Sequence, residues 1–187
     1  MQTGRAHTGR RRNEEARRAI LEAAVDLLSG GPGDGTVSVD AIAAAAGVGK
    51  QTIYRWWPSK GAMLLDALAE YAEAEVPAPD TGTLAGDLEA FLTATFRLGA
   101  RPATAALLRK IAAEAQQDEH TAQLLHAFAQ QRRAALIALA RRGAAPDPEL
   151  LADQAFGVLW YQLLILHAPL EEEAARRLAH ALAHQGH

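Results

Sequence analysis

An all-α fold of about nine helices is predicted by three observations. Alanine supplies 43 of the 187 residues, whereas Phe, Trp and Tyr together supply ten, a composition that favours helices built from small side chains over a strand-rich sheet. Apolar residues recur at three- and four-residue spacing along most of the chain. Gly and Pro interrupt that period at Gly30 to Gly35, Pro77 with Pro79, Gly99 with Pro102, Gly143 with Pro146 and Pro148, and Pro169, where a helix loses an amide donor or carries glycine's entropic cost.

The first helix is predicted over Asn13 to Ser29, with Ala16, Ile20, Ala24, Leu27 and Leu28 on one face and Glu14, Arg17, Arg18, Glu22 and Asp26 largely elsewhere. A second begins after Ser38, whose hydroxyl can cap free amides, and buries Val39, Ile42, Ala43 and Ala46. It lasts barely two turns. Gly47 then permits a sharp reversal, Val48 supplies an apolar plug, and a third short helix runs from about Gly49 to Trp57. Counted from Val39, a small Ala43 falls fifth, Gly47 ninth and Ile53 fifteenth. That is the spacing of a helix-turn-helix, in which the small residue allows close approach, glycine makes the turn and the branched residue locks the second helix onto the first.

With Ile53 and Trp57 inward, Lys50, Gln51, Thr52, Tyr54 and Arg55 point outward in varying degrees. Lys and Arg pair with phosphates or guanine edges, Gln bonds adenine bidentately, and Thr and Tyr hydroxyls suit phosphate oxygens. The charge distribution agrees. Residues 1–60 hold nine Arg and Lys against six Asp and Glu, while 61–187 hold ten against sixteen, so a net charge of -3 conceals a basic third suited to phosphates and an acidic remainder repelled by them.

The run Gly47-Val48-Gly49-Lys50-Gln51-Thr52-Ile53-Tyr54-Arg55-Trp56-Trp57-Pro58-Ser59-Lys60 resembles the recognition-helix signature of the tetracycline-repressor (TetR) family of bacterial transcriptional regulators. Arg17 to Ala24 and Val39 to Ala43 are similar to that family's first two helices, in order. The resemblance covers residues 13–65. It implies a three-helix DNA-binding unit (13–60), a helical effector and dimerisation domain (61–187), and dimers on palindromic double-stranded operator DNA. By position, it implies that Lys50, Gln51 and Tyr54 face bases or adjacent phosphates, that Thr52 and Lys60 clamp phosphates, and that Ser38 sits near the backbone. Trp56 departs from the family's usual polar contact residue. Two readings stay open for it: inward packing beside Ile53, or an indole N–H that reaches a phosphate.

Residues 1–12, with Arg5, Arg10, Arg11 and Arg12, show no apolar period. They are expected to form either a solvated tail or a basic arm that gains order on DNA. Further helices are predicted from Pro58-Ser59 to before Val76, with Met63, Leu64, Ala67, Leu68 and Tyr71 inward, and near Thr83 to Leu98, Pro102 to Gln116, Glu119 to Arg142, Pro148 to His167 and Leu170 to Gln185.

The helix from Pro148 is apolar nearly all round, so it needs cover on several sides. A second copy is a natural cover, and a four-helix homodimer seam is expected from Leu159, Leu163 and Leu166 with Leu178, Ala181 and Leu182. A central helix of a monomer is the alternative. Met63, Phe91, Phe96, Phe128, Phe156, Trp160 and Tyr161 are candidates to line an effector cavity, with Gln116, His126 and Gln162 orienting a ligand by hydrogen bonds. The expected effector is a small, largely apolar and largely neutral molecule. His180, His184 and His187 lack a carboxylate at matching spacing, so no metal and no cofactor are expected.

Cysteine is absent, which removes disulfides, Cys-based zinc sites and a thiolate nucleophile and suits a reducing cytoplasm. The basic start lacks an apolar h-region and does not read as a signal peptide. The uncharged run Gln154 to Leu170 barely reaches membrane-spanning length and contains Gln154, Gln162, His167 and Pro169, so a buried helix is the expectation and no membrane partner is inferred. Serine occurs only at Ser29, Ser38 and Ser59, and no Gly-rich phosphate loop or His-Glu-x-x-His motif is present. A small helical enzyme using carboxylate or histidine acid-base chemistry is the rival reading, and a nonspecific DNA-packaging protein conflicts with the acidic remainder. The sequence is best read as a cytoplasmic, dimeric repressor, not an enzyme, released from its operator by a ligand.

Overall fold

A computed structural model describes residues 5–29, 37–76 and 78–184, with side chains from residue 13 onward. The described residues form nine α-helices and no strand: α1 (Arg5–Leu28), α2 (Val39–Ala45), α3 (Lys50–Trp56), α4 (Lys60–Glu75), α5 (Leu84–Ala100), α6 (Pro102–Glu114), α7 (Glu119–Arg142), α8 (Pro148–Trp160) and α9 (Glu172–Ala183), with a π-helical turn at Tyr161–Ile165. The chain divides into two compact units, the first ending at Glu70 and the second beginning at Tyr71. The division falls inside α4.

In the first unit, Ile20, Leu21 and Ala24 of α1, Ile42 and Ala43 of α2, Ile53 of α3 and Met63, Leu64 and Leu68 of α4 are buried together with Trp57. The first helix starts at Arg5 and not at Asn13, so the backbone of 5–12, expected as an arm, continues α1. Residues 1–4 of that arm, and the Gly-rich stretch 30–36, lie outside the described residues.

In the second unit, α5 packs most extensively on α9, α7 packs on α8, and α5, α6 and α7 meet one another. Leu88, Phe91, Leu92 and Phe96 of α5, Leu136 and Leu139 of α7, and Ala175 and Ala179 of α9 fill its core. A buried carboxylate pins one corner: Asp87 accepts from the Thr81 amide at 2.6 Å, from the Thr81 hydroxyl at 2.9 Å and from Arg142 at 2.7 Å. The Thr81 amide, and after it Arg142, hold its carboxyl below the usual carboxylate range, against the opposing effect of burial.

The predicted helix from Pro148 to His167 is not a single α-helix. It widens after Trp160, where the Leu166 amide bonds the Tyr161 carbonyl at 3.1 Å across five residues. The chain then turns through His167 at φ 48°. Arg109 of α6 donates to the Leu163 carbonyl at 3.0 Å, satisfying a group that the end of the helix leaves open. Among the described residues, no helix is long and apolar enough to cross a membrane.

Candidate functional site

The sequence Ser38 to Trp57 folds as two short helices held at a fixed crossing by a tight turn. Ser38 Oγ accepts the Ala41 amide at 3.1 Å and so starts α2. Its end is set by Gly47, which adopts φ 65°, a left-handed conformation that side-chain-bearing residues pay to enter. The Val48 amide returns to the Ala43 carbonyl at 2.9 Å, and α3 begins two residues later. Ile53 and Trp57 are buried, as their four-residue spacing requires, and the opposite face of α3 is left outside.

That outer face carries Lys50, Gln51, Tyr54 and Arg55, all exposed, with Thr52 half-buried beside them. Tyr54 is 53% exposed, a large aromatic side chain that its own chain leaves more than half uncovered. Lys50 Nζ stands 2.7 Å from Asp40 Oδ1 of α2, and the hydrogen bond to that carboxylate raises the ammonium pKa. Arg55 reaches back to Asn13 Oδ1 of α1 at 2.8 Å. Lys60 Nζ donates to the Val37 carbonyl at 3.0 Å, next to the start of α2. Trp56 is half-buried, and its indole nitrogen is enclosed without a hydrogen-bond partner. Its ring centroid lies 6.4 Å from that of Trp57.

Sequence reasoning missed the clamp behind this surface. Trp57 Nε1 donates to Asp66 Oδ2 of α4 at 2.9 Å. Arg17 of α1 bonds the same carboxylate oxygen at 2.7 Å and Glu70 at 2.8 Å, and its guanidinium lies 5.7 Å from the Trp57 ring centroid. The end of α3 is thereby tied to both α1 and α4 by charge-assisted bonds. An acidic pair on α4 at Asp66 and Glu70, four residues apart, was the available signal.

The candidate effector residues separate into groups. Met63 is buried in the core of the first unit, Phe91 and Phe96 are buried in the core of the second, and none of the three lines the groove at Trp160 or the cavity at the α7 to α8 turn. Phe128, Phe156 and Gln162 are half-buried and Tyr161 is exposed. Gln116, His126 and Trp160 come together. They line an open groove of about 330 Å³ in the second unit with Ala112, Leu125, Ala129 and Leu164. A second cavity of about 300 Å³, at the α7 to α8 turn, holds no candidate effector residue.

The candidate seam residues also divide. Leu159, Leu163 and Leu182 are buried in their own chain at 5%, 1% and 4% exposure, which corrects their assignment to an intermolecular surface. A helix apolar on every side gives no sequence signal for which side its own core takes. Leu166 and Ala181 are exposed and Leu178 is half-buried. The outward apolar surface is instead carried by Leu150, Tyr161, Ile165 and Leu166, each more than half exposed. His180 and His184 stack with ring centroids 4.3 Å apart.

A tight helix-turn-helix with an uncovered polar second helix, mounted on a small helical unit ahead of a larger one, defines a DNA-binding regulator. Residues 20–67 match the bacterial regulatory proteins, tetR family, and residues 78–182 match the tetracyclin repressor-like C-terminal domain. The chain is similar to the HTH-type transcriptional regulator YdeS of Bacillus subtilis (strain 168), 34% identical over 179 residues, which are 91% of this chain and 89% of that protein. Among solved structures, the TetR family transcription regulator SCO0332 superposes with a TM-score of 0.76 at 31% identity, over 90% of this chain and 97% of that one. FadR from Bacillus subtilis, solved in complex with stearoyl-CoA, shares the fold with a TM-score of 0.60 at 19% identity, over 91% and 99% of the two chains. The protein belongs to the TetR family and is a helix-turn-helix, DNA-binding transcriptional regulator.

Proposed function

We propose that this regulator is a homodimeric repressor that leaves a palindromic operator when a small molecule occupies its second unit. The observation that carries the reading is the separation of parts: an uncovered polar α3 in a basic unit, and an open groove in an acidic one. Lys50, Gln51, Thr52 and Tyr54 are the residues proposed to read or grip DNA, with Ser38 and Lys60 on the backbone side. Arg55 joins them by releasing Asn13. That FadR, a regulator of the same fold, was solved in complex with stearoyl-CoA supports a small-molecule effector for this chain.

A dimer is supported by Tyr161, Ile165 and Leu166, three large apolar side chains within six residues of chain that are each more than half exposed, because exposed apolar surface of this kind marks an interaction site. Two copies related by a two-fold axis present two α3 helices to half-sites one DNA turn apart, about 34 Å. The chain connects its two units through α4, which supports that helix as the coupling element. The cytoplasm, where operator DNA is found, is the proposed location, and binding without catalysis is the proposed activity.

Ligand and operator then compete through one coupled equilibrium, and a hundredfold effect requires about 2.7 kcal/mol of coupling. Calorimetric titration of an effector into the free protein and into its operator complex tests this. Weaker binding to the complex is expected, by the same factor as the ligand weakens DNA binding. Equal affinities would leave a constitutive DNA-binding protein.

A further inference from the structure

The second unit contains a cation that its own fold leaves short of partners. Arg132 of α7 is 5% exposed, and its Nη2 is buried without an acceptor. Its guanidinium lies 5.1 Å from the Phe91 ring centroid, a contact that offsets part of the loss of water but accepts no hydrogen bond in the ring plane. The nearby carboxylate, Glu73, forms no ion pair with it and is taken by Gln131. Burial lowers the Arg132 pKa while Glu73 opposes the shift, yet a guanidinium does not release its proton in a protein, so the charge stays. Neighbouring arginines are served differently: Arg133 holds Asp153 at 2.6 Å, and Arg142 holds Asp87 at 2.7 Å.

This cation does not line the groove but follows its lining residues along α7. Leu125 and Ala129 line the groove, and Arg132 follows at i+7 and i+3, on the same helix face and one turn further along. The wall itself is apolar at Ala112, Leu125, Ala129, Trp160 and Leu164. A wholly neutral effector matches that wall and leaves Arg132 unanswered.

We infer that the effector is an amphiphile with an apolar body and a carboxylate-type anionic group, the body lying in the groove and the anion pairing with Arg132. This rests on the ligand-responsive reading above and replaces the neutral effector expected from the sequence. Arginine's planar fork suits a carboxylate, and enclosure strengthens the charge-assisted bonds it donates. Apolar contact supplies affinity, and the cation supplies selectivity between ligands of equal body and different head group.

The test compares decanoate with decanol, which share an apolar body, on the full-length protein at neutral pH. Both are titrated below the solubility limit of the alcohol and followed by tryptophan fluorescence, with Trp160→Phe showing that the signal comes from the groove. Decanoate is expected to bind at least tenfold more tightly than decanol. The preference is expected to vanish in Arg132→Met and to survive in part in Arg132→Lys. Without ligand, Arg132→Met is expected to melt no lower than the parent, since removing an uncompensated buried charge relieves a desolvation cost. Equal binding of the two probes, no binding of decanoate, a preference that persists in Arg132→Met, or a markedly lower melting temperature for that variant would each overturn the inference. Arg132-dependent decanoate binding that leaves DNA affinity unchanged would uphold it while removing the ligand-release reading. Release of DNA by a neutral compound, indifferent to Arg132, would do the reverse.

Discussion

Lys50 pairs with a carboxylate at the position where the proposed function gives it a DNA phosphate. Its ammonium sits 2.7 Å from Asp40, and both groups are exposed, so a phosphate that takes the lysine must displace a carboxylate. Asp40→Asn is therefore expected to tighten DNA binding, while Lys50→Ala weakens it and reduces the salt dependence by about one ion. Tyr54→Ala is expected to lower affinity for the operator by about 1–3 kcal/mol with oligomeric state unchanged, if its ring or hydroxyl meets a base edge. Fluorescence anisotropy with labelled operator at several salt concentrations measures all three; unchanged affinity in both Lys50→Ala and Tyr54→Ala contradicts the assignment of α3. Asp87 gives a second test at this scale. Because the Thr81 amide and Arg142 lower its folded-state pKa, its stabilisation is complete above the unfolded value of about 3.9 and is lost as pH falls through the lowered one. Asp87→Asn should melt below the parent at neutral pH, with the gap closing in acid; a gap that is constant with pH would show that the charge is not responsible. The outward residues of α3 were legible because Ile53 and Trp57 fix the inward face. Arg132 was not, since the sequence cannot tell a solvated arginine from one buried over the Phe91 ring of another helix.

At the scale of elements, periodicity and punctuation located all nine helices, and the boundaries moved where local rules compete. Residues 5–12 have no apolar period, yet α1 includes them. Arginine and alanine are good helix formers, and extending a helix already nucleated by a packed segment adds a hydrogen bond per residue fixed. The π-helical turn at Tyr161–Ile165 had no sequence signal, because it changes hydrogen-bond partners and not residue types. That turn, with the all-round apolar character of α8, is why Leu159 and Leu163 were expected on the seam but are buried in their own chain. The consequence is a contrast between two neighbouring substitutions. Ile165→Asp, at a position 66% exposed, should give a folded monomer, whereas Leu163→Asp, at 1% exposed, should give an unfolded or insoluble chain. Sedimentation and far-ultraviolet circular dichroism distinguish them; an Ile165→Asp variant that stays dimeric would remove this surface from the interface.

The whole molecule combines an N-terminal third with excess positive charge and a remainder with excess negative charge. A uniform net charge of -3 would oppose DNA everywhere, whereas this distribution attracts phosphates to one end and repels them from the rest. The helix-turn-helix carried the function in the sequence because its geometry is made by a few residues close together in the chain: Ser38, Ala43, Gly47, Ile53 and Trp57. The proposed effector groove is assembled from residues far apart in sequence, and Gln116, His126 and Trp160 are the candidates that line it. Sequence-specific recognition by a paired reader is tested by selecting bound fragments from a random double-stranded DNA library with the full-length protein. The expected result is enrichment of an inverted repeat whose half-sites are centred about 34 Å apart, bound at least a thousandfold more tightly than unselected DNA at the same salt concentration. Absence of any enriched sequence, or equal affinity for selected and unselected DNA, would contradict it.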